Sequence, residues 1–486
     1  MTGDLLLVLD AGTTSTRAIA FSRHGEIVAS AQRTLARQHP APGHVEQDAA
    51  ALWSLSAQCL IEVADTVGRT RLAALGLANQ RETLLLWDRL TGTPLAPAIV
   101  WQDRRTAPLC AALKAAGHEP MVQARTGLLL DPYFTATKLG WALQHWPQVA
   151  DAARHGRLAA GTVDSWLVWN LSGGRRHISD ATNASRTMLM HLGRRHWDQA
   201  LLDLFEVPAA CLPEIVDCAG PLAHCELLDL PLTGSAGDQQ AAALGQACLS
   251  PGDVKATYGT GAFLLAHAGA TPPQSAHRLL ATLAWQFQGR AAYALEGSIF
   301  MAGAAVQWLR DGLGLIASAA ETEALARAVP DSGGVQFVPA LTGLGAPHWA
   351  PEARGLITGL TAGTTKAHLV RATLEAMGQQ TADLVEALAA DGVPVQALCV
   401  DGGMAANDWL CQDIADSLGV PVSRPRVIET AALGAAMLAG LGCGWFSSLD
   451  EAAATMVHAD RGFRPGGDPA PRRAAWQHAI RQTLTR

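Results

Sequence analysis

LLLVLDAGTTSTRAIAFSRHGEIVASA, residues 5–31, reads as an apolar strand, a Gly-Thr-Thr turn, a second strand, a Gly turn and a third strand. The same grammar returns in DVKATYGTGAFLLAHAG, residues 253–269, as strand, Gly-Thr-Gly turn and strand. An echo half a chain apart predicts two lobes of related build, each opening with a small-residue hairpin, facing one another across a cleft. The 486 residues suit that division, being too many for one ordinary core. Strand-like and helix-like segments alternate throughout with no long linker, which predicts an α/β architecture.

Turns of Gly and Thr are suited to phosphate. Their backbone N–H groups approach oxygen closely, the hydroxyls of Thr13, Thr14 and Thr260 add donors, and glycine accepts unusual backbone angles without steric cost. Asp10, at the end of the first strand, is placed to hold a magnesium ion through water, and Arg17 to add a charge-assisted phosphate contact. Taken alone, D-x-G-T is an ordinary strand ending in a turn; the second hairpin favours the phosphate reading. No G-x-x-x-x-G-K-[ST] occurs, so P-loop nucleotide binding has no support.

Other segments carry polar residues that need a reason. ALCVDGGMAANDWLCQDIADSLG, residues 397–419, predicts a buried strand, a Gly402-Gly403 turn able to lie against a ring or ribose, with Asn407 as a polar contact, and an amphipathic helix. Asn79, Gln80, Arg81 and Glu82 interrupt two apolar runs, where Arg81 and Glu82 form either a structural ion pair or the wall of a polar site. Asp238 precedes a helix expected to start at Gln239; it is either an N-cap or, at the mouth of a cleft, a base able to accept a hydroxyl proton.

Composition excludes several classes. A formal charge of −7 gives no electrostatic reason to seek a nucleic-acid partner. Nine scattered cysteines without a C-x-x-C pair argue against a disulfide framework or zinc site and favour a reducing cytoplasm. The N-terminus lacks the pattern of a signal peptide, and the longest apolar run, residues 431–446, reads as a buried helix rather than a membrane span.

The chain resembles the FGGY carbohydrate kinase family from end to end, and within it the members that phosphorylate glycerol. The resemblance rests on LDAGTTSTRA at 9–18, NQRET at 79–83, VWQDRRT at 100–106, TGLLLDPYF at 126–134, GTVDSWL at 161–167 and DATNASRTML at 180–189. It continues in AGDQQAA at 236–242, TYGTGAF at 257–263, EGSIFMAGAAVQWLRD at 296–311, PALTGLGAPHW at 339–349 and VDGGMAAN at 400–407. It implies a duplicated actin-like ATPase (ribonuclease H-like) fold with an interlobe active-site cleft, divided into an N-terminal domain over 1–246 and a C-terminal domain over 247–486. It implies ATP and Mg²⁺, with glycerol as the polyol and Asp238 as catalytic base beside Gln239. Arg81, Glu82 and Tyr133 become polyol contacts, and Trp101 and Phe263 pack on the carbon skeleton. Thr13, Thr14, Ser15 and Arg17 belong to the first phosphate loop, Thr260 to the second, and Gly303, Gln307, Gly403 and Asn407 surround the nucleotide, with Asp10 on the metal. A cytoplasmic homo-oligomer, dimer or tetramer, without membrane insertion, is also implied.

Departures qualify the resemblance. Ala11 stands where many relatives have glutamine, the Gly-Gly-x-Arg loop that binds a sugar bisphosphate inhibitor in some relatives is missing, and His224 lacks the aromatic residues that follow a regulatory phosphohistidine, so it reads as a plain surface histidine. Two rivals to the glycerol reading are a family member acting on a pentulose or another polyol, and an actin-like ATPase with no small acceptor. In the second, NQRET, DPYF and GDQQ would have no purpose.

Overall fold

A computed structural model describes residues 3–350 and 352–485. Two large mixed sheets form its frame. The first has six strands in the order Ala219–Cys225, Leu230–Gly237, Leu72–Asn79, Leu5–Ala11, Ser15–Ser22, Ile27–Thr34. The second has seven, in the order Leu280–Phe287, Arg290–Ile299, Ala262–Gly269, Asp253–Tyr258, Ala397–Asp401, Val422–Pro425, Ala459–Phe463. In each, an opening strand pairs antiparallel with the next, which pairs antiparallel with a third, while its other edge lies parallel to a later strand and that one parallel to another. Five strands thus repeat in the same order and sense, which is the duplication the hairpin echo predicts.

Strand Leu5–Ala11 is buried along its whole length, as expected of a central strand covered on both faces, and its near-continuous apolar run follows from that. Helix Ala49–Val67 covers one face with Leu52, Cys59, Leu60 and Val63, and Asp48 starts it by accepting from the backbone N–H groups of Ala50 and Ala51 at 2.8 and 3.1 Å. On the second sheet the long helix Lys366–Ala390 buries Val370, Leu374, Met377 and Leu384.

The apolar run near residue 431 is a buried helix, Thr430–Gly442. Although it lies in sequence between the last two strands of the second sheet, it packs on the first, against Leu6, Val8 and Ala74, and crosses helix Asp238–Gly245 at backbone contact. A methyl group on Gly434 would lie 1.8 Å from the Ala241 carbonyl oxygen, and one on Gly245 would lie 2.0 Å from that of Thr430. Only glycine permits this approach, in which the two helices run antiparallel and the start of Thr430–Gly442 lies against the end of Asp238–Gly245.

Glycine inside an exposed helix normally costs about 1 kcal/mol relative to alanine. At this crossing the sign reverses. Gly434→Ala is expected to lose about 3 kcal/mol or more through overpacking, measured by denaturant unfolding; unchanged or improved stability would refute the close-crossing account.

Candidate active site

The first turn is closed by the Gly12 N–H donating to the Ser15 carbonyl at 2.9 Å, with Thr13 and Thr14 at its tip. Its carbonyls are held from behind. Gln80 Nε2 donates to Gly12 O at 3.2 Å, Gln47 Nε2 to Thr13 O at 2.6 Å and the Leu35 N–H to Thr14 O at 2.8 Å. Trp101 Nε1 donates to Thr13 Oγ1 at 2.9 Å, which leaves that hydroxyl its own proton to give. The second turn is one residue shorter: the Gly259 N–H reaches Gly261 O at 2.9 Å, and Thr260 O accepts from Ala302 and Ala304 at 3.0 and 2.9 Å. Gly303 sits beneath it, where a Cβ would meet Gly259 O at 2.6 Å. Its glycine is required by this packing.

A cleft of about 700 Å³ is lined by residues of both strands that precede the turns, Asp10 and Thr257, and by Gly12, Arg17, Asp238, Gln239, Asp401 and Gly403. Arg17 Nε stands 3.1 Å from Asp10 Oδ2, and its other end pairs with Glu429 at the start of helix Thr430–Gly442. Burial pushes the Asp10 carboxyl up to about 6 against the opposing pull of Arg17, and the nearby carboxylates Asp238 and Glu429 push the same way.

Asp238 is the first residue of its helix, one position earlier than the sequence suggests. Its carboxylate accepts from the adjoining Gln239 N–H at 2.7 Å and lies 3.3 Å from Arg81 Nε. It therefore makes no ordinary N-cap. Its side chain keeps 30% exposure towards the cleft. Burial raises its pKa, Arg81 opposes, Glu82 adds to the rise and Lys255 opposes again. Lys255, wholly buried on the opening strand of the second sheet, donates to Gln239 Oε1.

Arg81 and Glu82 are neighbours in sequence but poor partners in space, at 3.9 Å. Each is paired better elsewhere. Arg81 Nη1 donates to Glu296 at 2.6 Å, while Glu82 accepts from Arg186 Nε at 2.6 Å, and Arg186 also reaches Glu296 at 2.7 Å. Glu82 has a left-handed backbone, φ 61, held through its carbonyl by Thr135 Oγ1 and Lys138 Nζ, both at 3.1 Å. Lys138 also donates to Tyr133 O at 2.7 Å, locking the two segments together; burial brings its own pKa down to about 7. Beside them Trp101 stands edge-to-face with Tyr133 at 5.5 Å and with Phe263 of the second sheet at 6.5 Å between ring centroids.

Of the expected residues, Asp10, Arg17, Asp238, Gln239 and Gly403 line the cleft, Arg81 reaches it through Asp238, and Thr13, Trp101, Tyr133 and Phe263 form a chain of contacts from the first turn. Two stand apart. Gln307 is exposed, and Asn407 spends its side chain capping helix Asp408–Leu418 through Leu410 N–H at 3.0 Å and donating to Thr322 at 3.2 Å. His224 is exposed, and its side chain meets the nearby Asp229 at 3.0 Å. Sequence reasoning gave no role to Arg186, Lys255, Glu296, Asp401 or Glu429. Lys255 and Glu296 carried a signal, being charges inside apolar strands, where a charge must find a partner. Among the described residues no helix is long and apolar enough to cross a membrane.

Comparison with known proteins gives the same picture over the whole chain. Residues 5–245 match the N-terminal domain, and residues 254–443 the C-terminal domain, of the FGGY family of carbohydrate kinases. The chain is 54% identical to a glycerol kinase of Rhodospirillum rubrum, with 99% of each covered. It superposes on the crystal structure of Plasmodium falciparum glycerol kinase with ADP at a TM-score of 0.94 and 33% identity, covering 100% of this chain and 99% of that one. A xylulose kinase from Rhodospirillum rubrum is further away, at 0.87 and 26%, covering 99% and 98%. Two matched domains, in order and together spanning most of the sequence, place this chain in the FGGY family of carbohydrate kinases.

Proposed function

We propose that the chain transfers the γ-phosphoryl group of ATP to a terminal hydroxyl of glycerol, giving sn-glycerol 3-phosphate and ADP. The observation that carries this reading is the placement of Arg81, held with Glu82 by a buried charge network, 3.3 Å from the one carboxylate that opens from that network into the cleft, Asp238. Kinship with proteins named glycerol kinases supports the choice of acceptor. Arg81, Glu82 and Tyr133 hydrogen-bond the polyol hydroxyls, and the Trp101–Phe263 pair covers its carbon skeleton. Asp238 takes the proton from the attacking hydroxyl. Gln239, fixed by Lys255, lies beside it. Thr13, Thr14, Ser15 and Thr260, with the turn N–H groups, receive phosphate oxygens, and Arg17 turns to them from Asp10. Gly403, Gly303, Gln307 and Asn407 belong to the nucleotide end of the cleft.

The buried Asp10 carboxylate, with acidic neighbours and room before it, fits a magnesium ion held through water. When bound, that ion neutralises charge on the phosphates. The chain works in the cytoplasm in this reading, in keeping with nine free thiols.

The acceptor is tested by magnesium-dependent ADP release with glycerol, erythritol, xylulose, ribulose or no acceptor at matched concentrations. Glycerol is expected to give the strongest response; preference for another sugar or polyol moves the substrate, and indifference to all of them defeats the kinase reading of this cleft. Asp238→Asn is expected to fold, to bind an ATP analogue, and to lose turnover by about 10²-fold or more. Near-normal turnover would remove the base from Asp238.

Asp10 makes a prediction of opposite sign for stability and for activity. A carboxyl raised from 3.8 to about 6 penalises the folded state when charged; the penalty is absent below the unfolded value and complete once pH exceeds the folded one. Asp10→Asn, melted at pH 8 without magnesium, is therefore expected to be more stable, by up to about 3 kcal/mol, while losing metal-dependent turnover. A large loss of stability would show that Asp10 is held for structural reasons instead.

A further inference from the structure

Glu296 belongs to the second sheet, on strand Arg290–Ile299, yet its carboxylate is spent on the first lobe. One oxygen accepts from Arg81 Nη1 at 2.6 Å and the other from Arg186 Nη2 at 2.7 Å. All three side chains are no more than 2% exposed. Burial alone would raise the Glu296 carboxyl, but the Arg186 and Arg81 guanidinium groups hold it below the ordinary carboxylate range. It is charged at neutral pH.

We propose that Glu296 is a positioning residue for the polyol site and for its base, acting across the lobe boundary by claiming Arg81. This inference rests on the polyol-kinase reading. The geometry of Arg81 carries it. Three carboxylates surround that guanidinium, Glu296 at 2.6 Å, Asp238 at 3.3 Å and Glu82 at 3.9 Å. The shortest contact, buried on both sides, goes to the one carboxylate that faces neither substrate hydroxyl nor cleft in this reading. The contact to Asp238 is left long. Were Glu296 neutral, Arg81 would be free to close on Asp238 as a full ion pair, which would lower its basicity and turn its oxygen away from the acceptor hydroxyl.

The second carboxylate oxygen has a matching effect. By holding Arg186 at Nη2 it aims Nε at Glu82, so one side chain of the second lobe fixes both charged polyol contacts of the first. Polyol affinity and lobe arrangement are thereby linked.

The test compares wild type, Glu296→Gln and Glu296→Asp in pH profiles of kcat/KM for glycerol, with KM for ATP and melting temperature measured in parallel. In Glu296→Gln the acid limb is expected to move down by about one pH unit, because Asp238 becomes the stronger acid. KM for glycerol should rise about tenfold, the scale of one lost charged hydrogen bond, and KM for ATP should change by about twofold or less. Glu296→Asp keeps the charge but falls short of both arginines, so the limb should stay within about 0.3 unit of wild type while KM for glycerol rises. An unmoved limb in Glu296→Gln, or a wild-type glycerol KM in Glu296→Asp, would overturn the inference; should Glu296→Gln not fold, the Asp variant decides alone. A wild-type enzyme without glycerol-dependent turnover would instead overturn the assignment of the substrate, before any variant is compared.

Discussion

Two guanidinium groups, Arg81 and Arg186, are buried where the two sheets meet, and almost everything about the site follows from the need to neutralise them. Charge taken out of water is tolerated only with close, hydrogen-bonded partners. Glu82 and Asp238 supply two such partners from the first lobe, and Glu296 supplies the third from the second. With Lys255 nearby, three positive and three negative side chains share the space. Breaking one buried pair typically costs 3–5 kcal/mol, so this end of the interface cannot open freely. Any motion that admits nucleotide has to take place around it, in the part of the cleft lined by Gly403, Arg426 and Ile428.

The second fixed point is the backbone crossing of helices Asp238–Gly245 and Thr430–Gly442. Because glycine removes every side-chain spacer there, two helices from distant parts of the chain pack antiparallel, the start of the second against the end of the first. Asp238 begins one, and Glu429 and Thr430 begin the other. Thr430 then donates to Asp401, which also accepts from Gln246 Nε2 at 2.5 Å and keeps its other oxygen buried without a protein partner. Glu429 holds Arg17 beside Asp10. Packing by small residues therefore ends in an arrangement of charge, and neither hairpin alone would produce it.

The repeated hairpins were legible because strand, Gly-rich turn and strand are local patterns whose meaning survives without tertiary context. The Gly/Ala-rich helix near residue 431 was legible as buried for the same reason. Which sheet it would cover was not, since that depends on Gly76, Gly234 and Gly245 meeting it from far away in sequence. Whether Arg81 and Glu82 form an ion pair or the wall of a polar site could not be decided locally either: they stand 3.9 Å apart, and with a left-handed backbone at Glu82 the two side chains reach closer partners elsewhere. Those partners lie 104 residues away for Glu82 and 215 for Arg81, and no periodicity encodes such distances. Asn407 shows the converse, a residue named by resemblance whose contacts in the fold are those of a helix cap.

Acidity links these structural facts to the proposed chemistry. Asp10 and Asp238 are both pushed up by burial, and both are restrained by an arginine of their own lobe. Each arginine is in turn shared with a glutamate from another part of the chain, Arg17 with Glu429 and Arg81 with Glu296. A shared guanidinium neutralises its aspartate only partly, which suits the roles proposed for them, Asp10 towards a hydrated cation and Asp238 towards a proton. Stronger pairing would weaken both as acceptors, and no pairing would push both further towards the protonated form. The sharing also explains why the restraining arginines are not interchangeable with lysine: a guanidinium can point different N–H groups at two carboxylates at once, whereas an ammonium is a single compact charge.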